Sequence, residues 1–148
     1  MKKLFAILLA ITLVVSLAAC GRKSAVMKVD NGDDGIITVT AKNSEKDSSG
    51  VGYITIDAGE CLVISPVLEK GAFRVAVRDK KEKTVLDKTV DGKVMSAWSL
   101  DPGDYSLLIT CKKTAVGTMK IIPYSVDRLN EENAKLAEAL EESGVVLK

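Results

Sequence analysis

Phe73-Arg74-Val75-Ala76-Val77-Arg78 is the stretch that decides the fold. Phe73, Val75 and Val77 alternate with Arg74, Ala76 and Arg78, and successive residues of a strand point to opposite faces. The stretch is therefore a strand with one face in a core and the other toward water. Asp79-Lys80-Lys81-Glu82-Lys83 follows as a charged hairpin tip, and residues 84–90 with the Asp91-Gly92 turn supply the returning strand. Such a tip reads as a solvated edge that resists aggregation, and its lysines are candidate contacts for anionic wall polymer or lipid.

The same alternation continues on both sides. Downstream, Val94, Ser96, Trp98 and Leu100 share a face, and Asp101-Pro102-Gly103 turns the chain into Tyr105, Leu107, Ile109 and Cys111. A last strand is expected near residues 117–123. Upstream, residues 61–65 form a strand that Pro66 should stop, and Ile54 and Ile56 share a face of another. The β-branched residues 36–41 make a first strand, with a loop over 42–50. Seven or eight short strands with no helix between them predict an antiparallel β-sandwich, immunoglobulin-like or jelly-roll-like, over residues 36–124.

Beyond the strands the period changes. Val126, Leu129, Asn133, Leu136 and Leu140 recur at spacings of three and four, with Ser125 or Asp127 as N-cap and Gly144 as C-cap. Residues 125–148 are thus an acidic amphipathic helix and tail. A helix of this length is marginal in water unless its apolar stripe is covered, so docking on the chain's own sandwich is expected ahead of pairing with a second helix.

The amino terminus gives the location. Lys2 and Lys3 precede an apolar run over residues 4–15 that is broken only by Thr12, and the run ends at Leu17-Ala18-Ala19-Cys20. It falls short of the roughly 20 residues that span hydrocarbon, and it fits a secretory signal. Leu17, Ala18, Ala19 and Cys20 resemble the lipobox of bacterial lipoprotein precursors position by position. The resemblance implies cleavage between Ala19 and Cys20, diacylglycerol on the Cys20 sulfur, and residence on the extracytoplasmic face of a bacterial membrane. Two or three acyl chains make a stable anchor where one is marginal. Residues 1–19 are then the signal peptide. Residues 20–35, polar and ending in Asp30-Asn31-Gly32-Asp33-Asp34-Gly35, read as a lipid-anchored tether. That acidic run imitates a calcium loop, but Gly32 and Ala41 stand where ligands are needed.

Composition removes several function classes. Taking residues 1–19 from the 148 leaves 129, one domain's worth, and the loss of Lys2 and Lys3 turns the formal charge from +1 to −1. No nucleic-acid partner is indicated. The sequence contains no histidine, which excludes His-assisted nucleophiles, His-ligated metals and imidazole acid–base chemistry. No cofactor or metal motif is present, and no catalytic residue is assigned. Cys61 and Cys111 are the pair available for a disulfide in an oxidising compartment. Strand parity disfavours the bridge: Cys111 lies on the inward set with Leu107 and Ile109, whereas Cys61 faces away if Leu62 and Ile64 point inward.

Leu100-Asp101-Pro102-Gly103-Asp104-Tyr105 resembles the tyrosine corner of immunoglobulin-like and related sandwiches, in which the phenol bonds to backbone upstream. The order Cys61, Trp98, Cys111 does not match an immunoglobulin framework. Residues 52–122, with the Leu68-Glu69-Lys70-Gly71 turn and the Pro-Gly-x-Tyr corner, resemble small bacterial lipoproteins with one sandwich akin to pre-peptidase C-terminal domains. That resemblance implies an accessory role and supplies no catalytic residues. Trp98, Tyr53 and Tyr124 are candidate sugar platforms, and Asp101 with Asp104 a candidate acid–base pair; a core place for Trp98 and an exposed turn for the aspartates are the simpler readings. The expectation is a monomeric, non-catalytic interaction or structural module of the envelope, partnered by the membrane through Cys20 and by an envelope protein or wall polymer. The alternative is a saccharide- or small-solute-binding lipoprotein. A concave face with an exposed Tyr or Trp would favour the alternative, and a face uniformly covered by Lys, Thr and Asp would count against it.

Overall fold

In the computed structural model, which describes residues 25–142, the chain runs β1 (Val26–Asn31), β2 (Ile37–Ser44), β3 (Ser49–Ile56), β4 (Glu60–Arg78), β5 (Thr84–Asp91), β6 (Ser96–Trp98), β7 (Gly103–Ser125) and α1 (Val126–Glu142). Cys20, the Ala19–Cys20 cleavage point and Gly144 lie outside the described residues. Every strand pairing is antiparallel, and hydrogen bonds join all seven strands into one sheet.

Two long strands fold that sheet into a sandwich. β4 and β7 pair from Glu60 with Ser125 to Arg78 with Ser106, and bulges between Leu68 and Phe73 bend the ladder midway. On one side of the bend lie β1, β2, the second half of β7, the first half of β4, and β6. On the other lie β3, the first half of β7, the second half of β4, and β5. Gly71 and Gly117 make the bend. Gly71 has φ +87°, and a Cβ there would sit 2.5 Å from Thr114 O and 2.7 Å from Ala115 Cα. Gly117, at φ +134°, would press a Cβ onto the Val67 carbonyl. Only glycine meets both the dihedral and the close backbone approach.

The two inner faces close on a single core. Ile37, Val39, Leu62, Ile64, Met119 and Ile121 come from one layer; Ile54, Phe73, Val75, Val77, Leu107, Ile109 and Cys111 come from the other. Phe73, Val75 and Val77 are wholly buried.

Four local expectations are corrected. Pro66 does not end a strand, because β4 runs through it. Leu68, two residues on, turns its N–H away from β7 to Gly92 O at 2.8 Å, and by the same alternation Pro66 presents its nitrogen to that side, beyond the end of β6. Similarly, the strands expected near 105–111 and 117–123 are one strand. Residues 20–35 are not wholly tether: Val26–Asn31 pairs with β2, and the acidic run is the hairpin turn, closed by Gly32 N to Ile36 O at 2.9 Å. Finally, α1 is not laid along the sandwich. Its first turn is tied by Val126 N to Gly59 O and capped by Ser125 Oγ, but Leu136 is 59% exposed.

The sandwich has two unlike ends. At one, β4 and β7 bend between layers and β1 begins, with Val26 opposite Lys42, Ala41 opposite Gly117 and Gly117 opposite Leu68. At the other lie the β1–β2 turn, the β4–β5 hairpin tip, the turn before β7 and the start of α1.

Candidate functional site

The second of these ends carries a groove. Its main depression, about 440 Å³, is lined by Tyr53 and Thr55 of β3, Asp104 of β7, Asp79, Lys80 and Glu82 of the hairpin tip, and Gly35 of the β1–β2 turn. A smaller hollow continues it past Tyr53 to Arg78, Val51 and Leu108, and another continues it past Asp104 to Pro102. The first two follow the outward face of β3, and the third lies between the hairpin tip and the turn before β7.

Each wall is fixed by local structure. Tyr53 alternates with the buried Ile54 and so points outward, where it is 67% exposed. Its backbone N–H is held by Asn31 Oδ1 at 2.8 Å. Thr55 stands directly opposite Asp104 in the β3–β7 ladder, and its hydroxyl donates to Asp104 Oδ1 at 2.8 Å. Lys80 Nζ lies 2.9 Å from Asp104 Oδ2. The lysine hydrogen bond, with help from Thr55, holds the Asp104 carboxyl below the ordinary carboxylate range. The tip is closed by its own polar groups: Asp79 Oδ1 accepts from Lys81 N and Lys83 N, and Glu82 adopts φ +60°. Arg78 Nη1 lies 3.7 Å from Glu82 Oε2, while Arg78 Nε is buried with no partner.

The other residues singled out in the sequence lie elsewhere. Tyr105 is buried and its phenol donates to the Asp101 carbonyl at 2.5 Å, closing the turn that ends at the groove. Burial, then Asp101, pushes its pKa up and keeps it protonated. Asp101 and Asp104 do not act as a pair, because Asp104 is committed to Thr55 and Lys80. Trp98 is half-buried against the core beside Leu62, and the Tyr124 hydroxyl donates to Glu132 Oε1 of α1 at 2.8 Å. Of the three aromatics only Tyr53 stands open. Cys61 and Cys111 are free, buried thiols. Cys111 lies in the core, its sulfur 3.7 Å from Met27 Sδ, whereas Cys61 lies outside that cluster and donates to Tyr124 O. Burial raises both thiol pKa values. Among the described residues no cluster of three or more His, Cys, Asp or Glu could hold a metal. Thr55, Arg78 and Glu82 were not legible as groove residues, because only the β3–β7 register and the tip conformation bring them beside Tyr53.

No family model matches the sequence, and no curated protein matches it. Solved structures do resemble the fold. The pre-peptidase C-terminal domain of a collagenase from Bacillus anthracis is 12% identical, with a TM-score of 0.42 over 68% of this chain and 88% of that one. A cupin domain from Bordetella pertussis Tohama I is 10% identical, with a TM-score of 0.35 over 70% of this chain and 97% of that one. A CBM4 structure is 12% identical, also at 0.35, over 70% and 81%. At this distance the likeness carries nothing about ligand or role.

Proposed function

We propose that the chain is a non-catalytic binding module of the bacterial envelope, anchored by lipid on Cys20, with the Tyr53 groove as its binding surface. The observation that carries this reading is the polarity of the sandwich. The chain enters β1 from the bend end, so an anchor at Cys20 attaches at the end of the sandwich opposite the groove. The chemistry of the groove supports binding over catalysis. Asp104 is held ionised by Lys80 and cannot serve as a general acid near neutrality, and the two thiols are buried with raised pKa values.

A saccharide is the ligand class the groove fits best. Tyr53 offers an open ring face, Asp104 and Glu82 offer acceptors for hydroxyl groups, and Arg78 lines the hollow that continues the groove. Charges of both signs, Arg78 and Lys80 against Asp79, Glu82 and Asp104, suit a neutral polyhydroxyl chain better than a polyanion. Titration calorimetry of the mature chain and Tyr53→Ala against neutral envelope oligosaccharides tests this. The parent should bind, and loss of ring stacking should weaken binding by about tenfold. The melting temperature should not change, since Tyr53 is mostly exposed. No binding, or equal binding by the variant, rejects the saccharide reading.

A further inference from the structure

The bend end carries an apolar patch that the groove does not use. Ser96 pairs with Ile64 and Gly92 O accepts from Leu68 N, so the connector Lys93-Val94-Met95 runs beside the Pro66-Val67 edge of β4. There Val67 is 51%, Val94 76% and Met95 58% exposed. Water-facing apolar side chains gathered at one end are a recognition surface in search of a cover.

What covers it follows from where the chain enters. Val26, where β1 begins, is joined across β2 and β7 to Leu68 of β4, three strand spacings or about 14 Å away. Cys20 precedes Val26 by six residues, a connection of at most about 20 Å in any conformation. We propose that the bend end lies against the membrane surface, with Val67, Val94 and Met95 in the interfacial region of an anionic phospholipid bilayer; this rests on lipid attachment at Cys20. The surrounding charge agrees. At the bend end Lys42 stands opposite Val26, Lys70 and Lys113 lie in the bulged stretch of the β4–β7 ladder and Lys93 is in the connector, against Glu69 and Asp91, while Lys46 and Lys112 offset Glu45 and Asp47. At the far end Lys80, Lys81, Lys83 and Arg128 are outnumbered by Asp33, Asp34, Asp79, Glu82, Asp101, Asp104, Asp127, Glu131 and Glu132, a balance that an anionic surface repels. The lipid supplies the affinity and the patch fixes orientation, holding the Tyr53 groove outward.

The test uses the lipidated mature chain in vesicles of phosphatidylethanolamine and phosphatidylglycerol. Met95→Cys or Lys81→Cys carries an environment-sensitive fluorophore; Cys61 and Cys111 are buried and stay unlabelled. Aqueous iodide should quench the label at position 95 about threefold less than the label at 81, as expected for a side chain in the headgroup boundary. The difference should shrink when Val94→Glu is added or phosphatidylglycerol is omitted. Equal quenching at 95 and 81 in protein that sediments with vesicles overturns the patch and leaves the anchor standing. Failure of the chain with Cys20 to take lipid and sediment overturns both.

Discussion

A single hydroxyl closes the turn at the groove. Tyr105 is 8% exposed, and its phenol reaches the carbonyl of Asp101 four residues back, across Pro102 and Gly103. Its ring packs in the core while Asp104, its neighbour, supplies a groove wall, so the corner ties the site to the sandwich. Tyr105→Phe keeps the ring and removes the bond. The expected cost is about 1 kcal/mol for the lost hydrogen bond, rising to about 3 kcal/mol if the Asp101 carbonyl is left unsatisfied. Urea unfolding should show a lower midpoint with an unchanged slope, because the buried surface is the same. An unaltered midpoint would mean that the carbonyl is equally well served by water. This contact was legible in the sequence because Pro102-Gly103 fixes the turn and the phenol sits at the right spacing.

At the scale of elements, what was legible is what depends on local alternation. The strand around Phe73–Val77, its hairpin tip, the partner strand β5 and the turn before β7 all follow from side-chain parity and turn residues. What was hidden depends on distant partners. Pro66 reads as a stop, yet its nitrogen lies on an open side of the ladder, a fact set by the length of β6. Gly71 reads as an ordinary turn glycine and Gly117 as the start of a strand, yet they let two long strands bend as a pair, so four expected strands are two. The stripe of α1 gives helix but not its cover, since periodicity does not say which surface a stripe meets. The bend gives a sharp prediction. Gly71→Ala forces a Cβ at positive φ onto backbone atoms of Thr114 and Ala115, which are held in the bulge between the Lys70–Val116 and Ala72–Lys113 pairs, with Ala115 also paired to Ser44 of β2. Left-handed strain alone costs about 1–3 kcal/mol, and the clash adds to it. Chemical denaturation should show a loss of at least about 3 kcal/mol, or no cooperative fold. Substituting Gly59, whose Cβ would meet nothing within 4 Å, shares the positive φ of +85° without the collision and should cost less.

At the scale of the whole molecule, the question is where the folded unit begins. Composition alone puts the start near residue 36, after a polar and acidic stretch. The structure moves it to Val26, because Met27 and Val29 pack against the core and β1 covers the outer edge of β2. Ser44, the one buried polar residue in the described sandwich, donates its hydroxyl to Val26 O at 2.6 Å. Cys111 meets Met27 through sulfur. A chain that starts at Ile36 therefore loses two partly buried apolar side chains, strands the Ser44 hydroxyl and exposes an unpaired strand edge. Part of the burial of two such side chains is about 2–3 kcal/mol, and an unsatisfied hydroxyl adds about 1 kcal/mol. Compared with a chain starting at Ala25, it should unfold at markedly lower urea, and its Cys111 thiol should become reactive before global unfolding. The bare edge of β2 should also make it prone to self-associate, a readout that scattering at rising concentration gives directly. If both chains unfold at the same midpoint, β1 contributes nothing to the fold, and residues 20–35 are the tether that their composition implies.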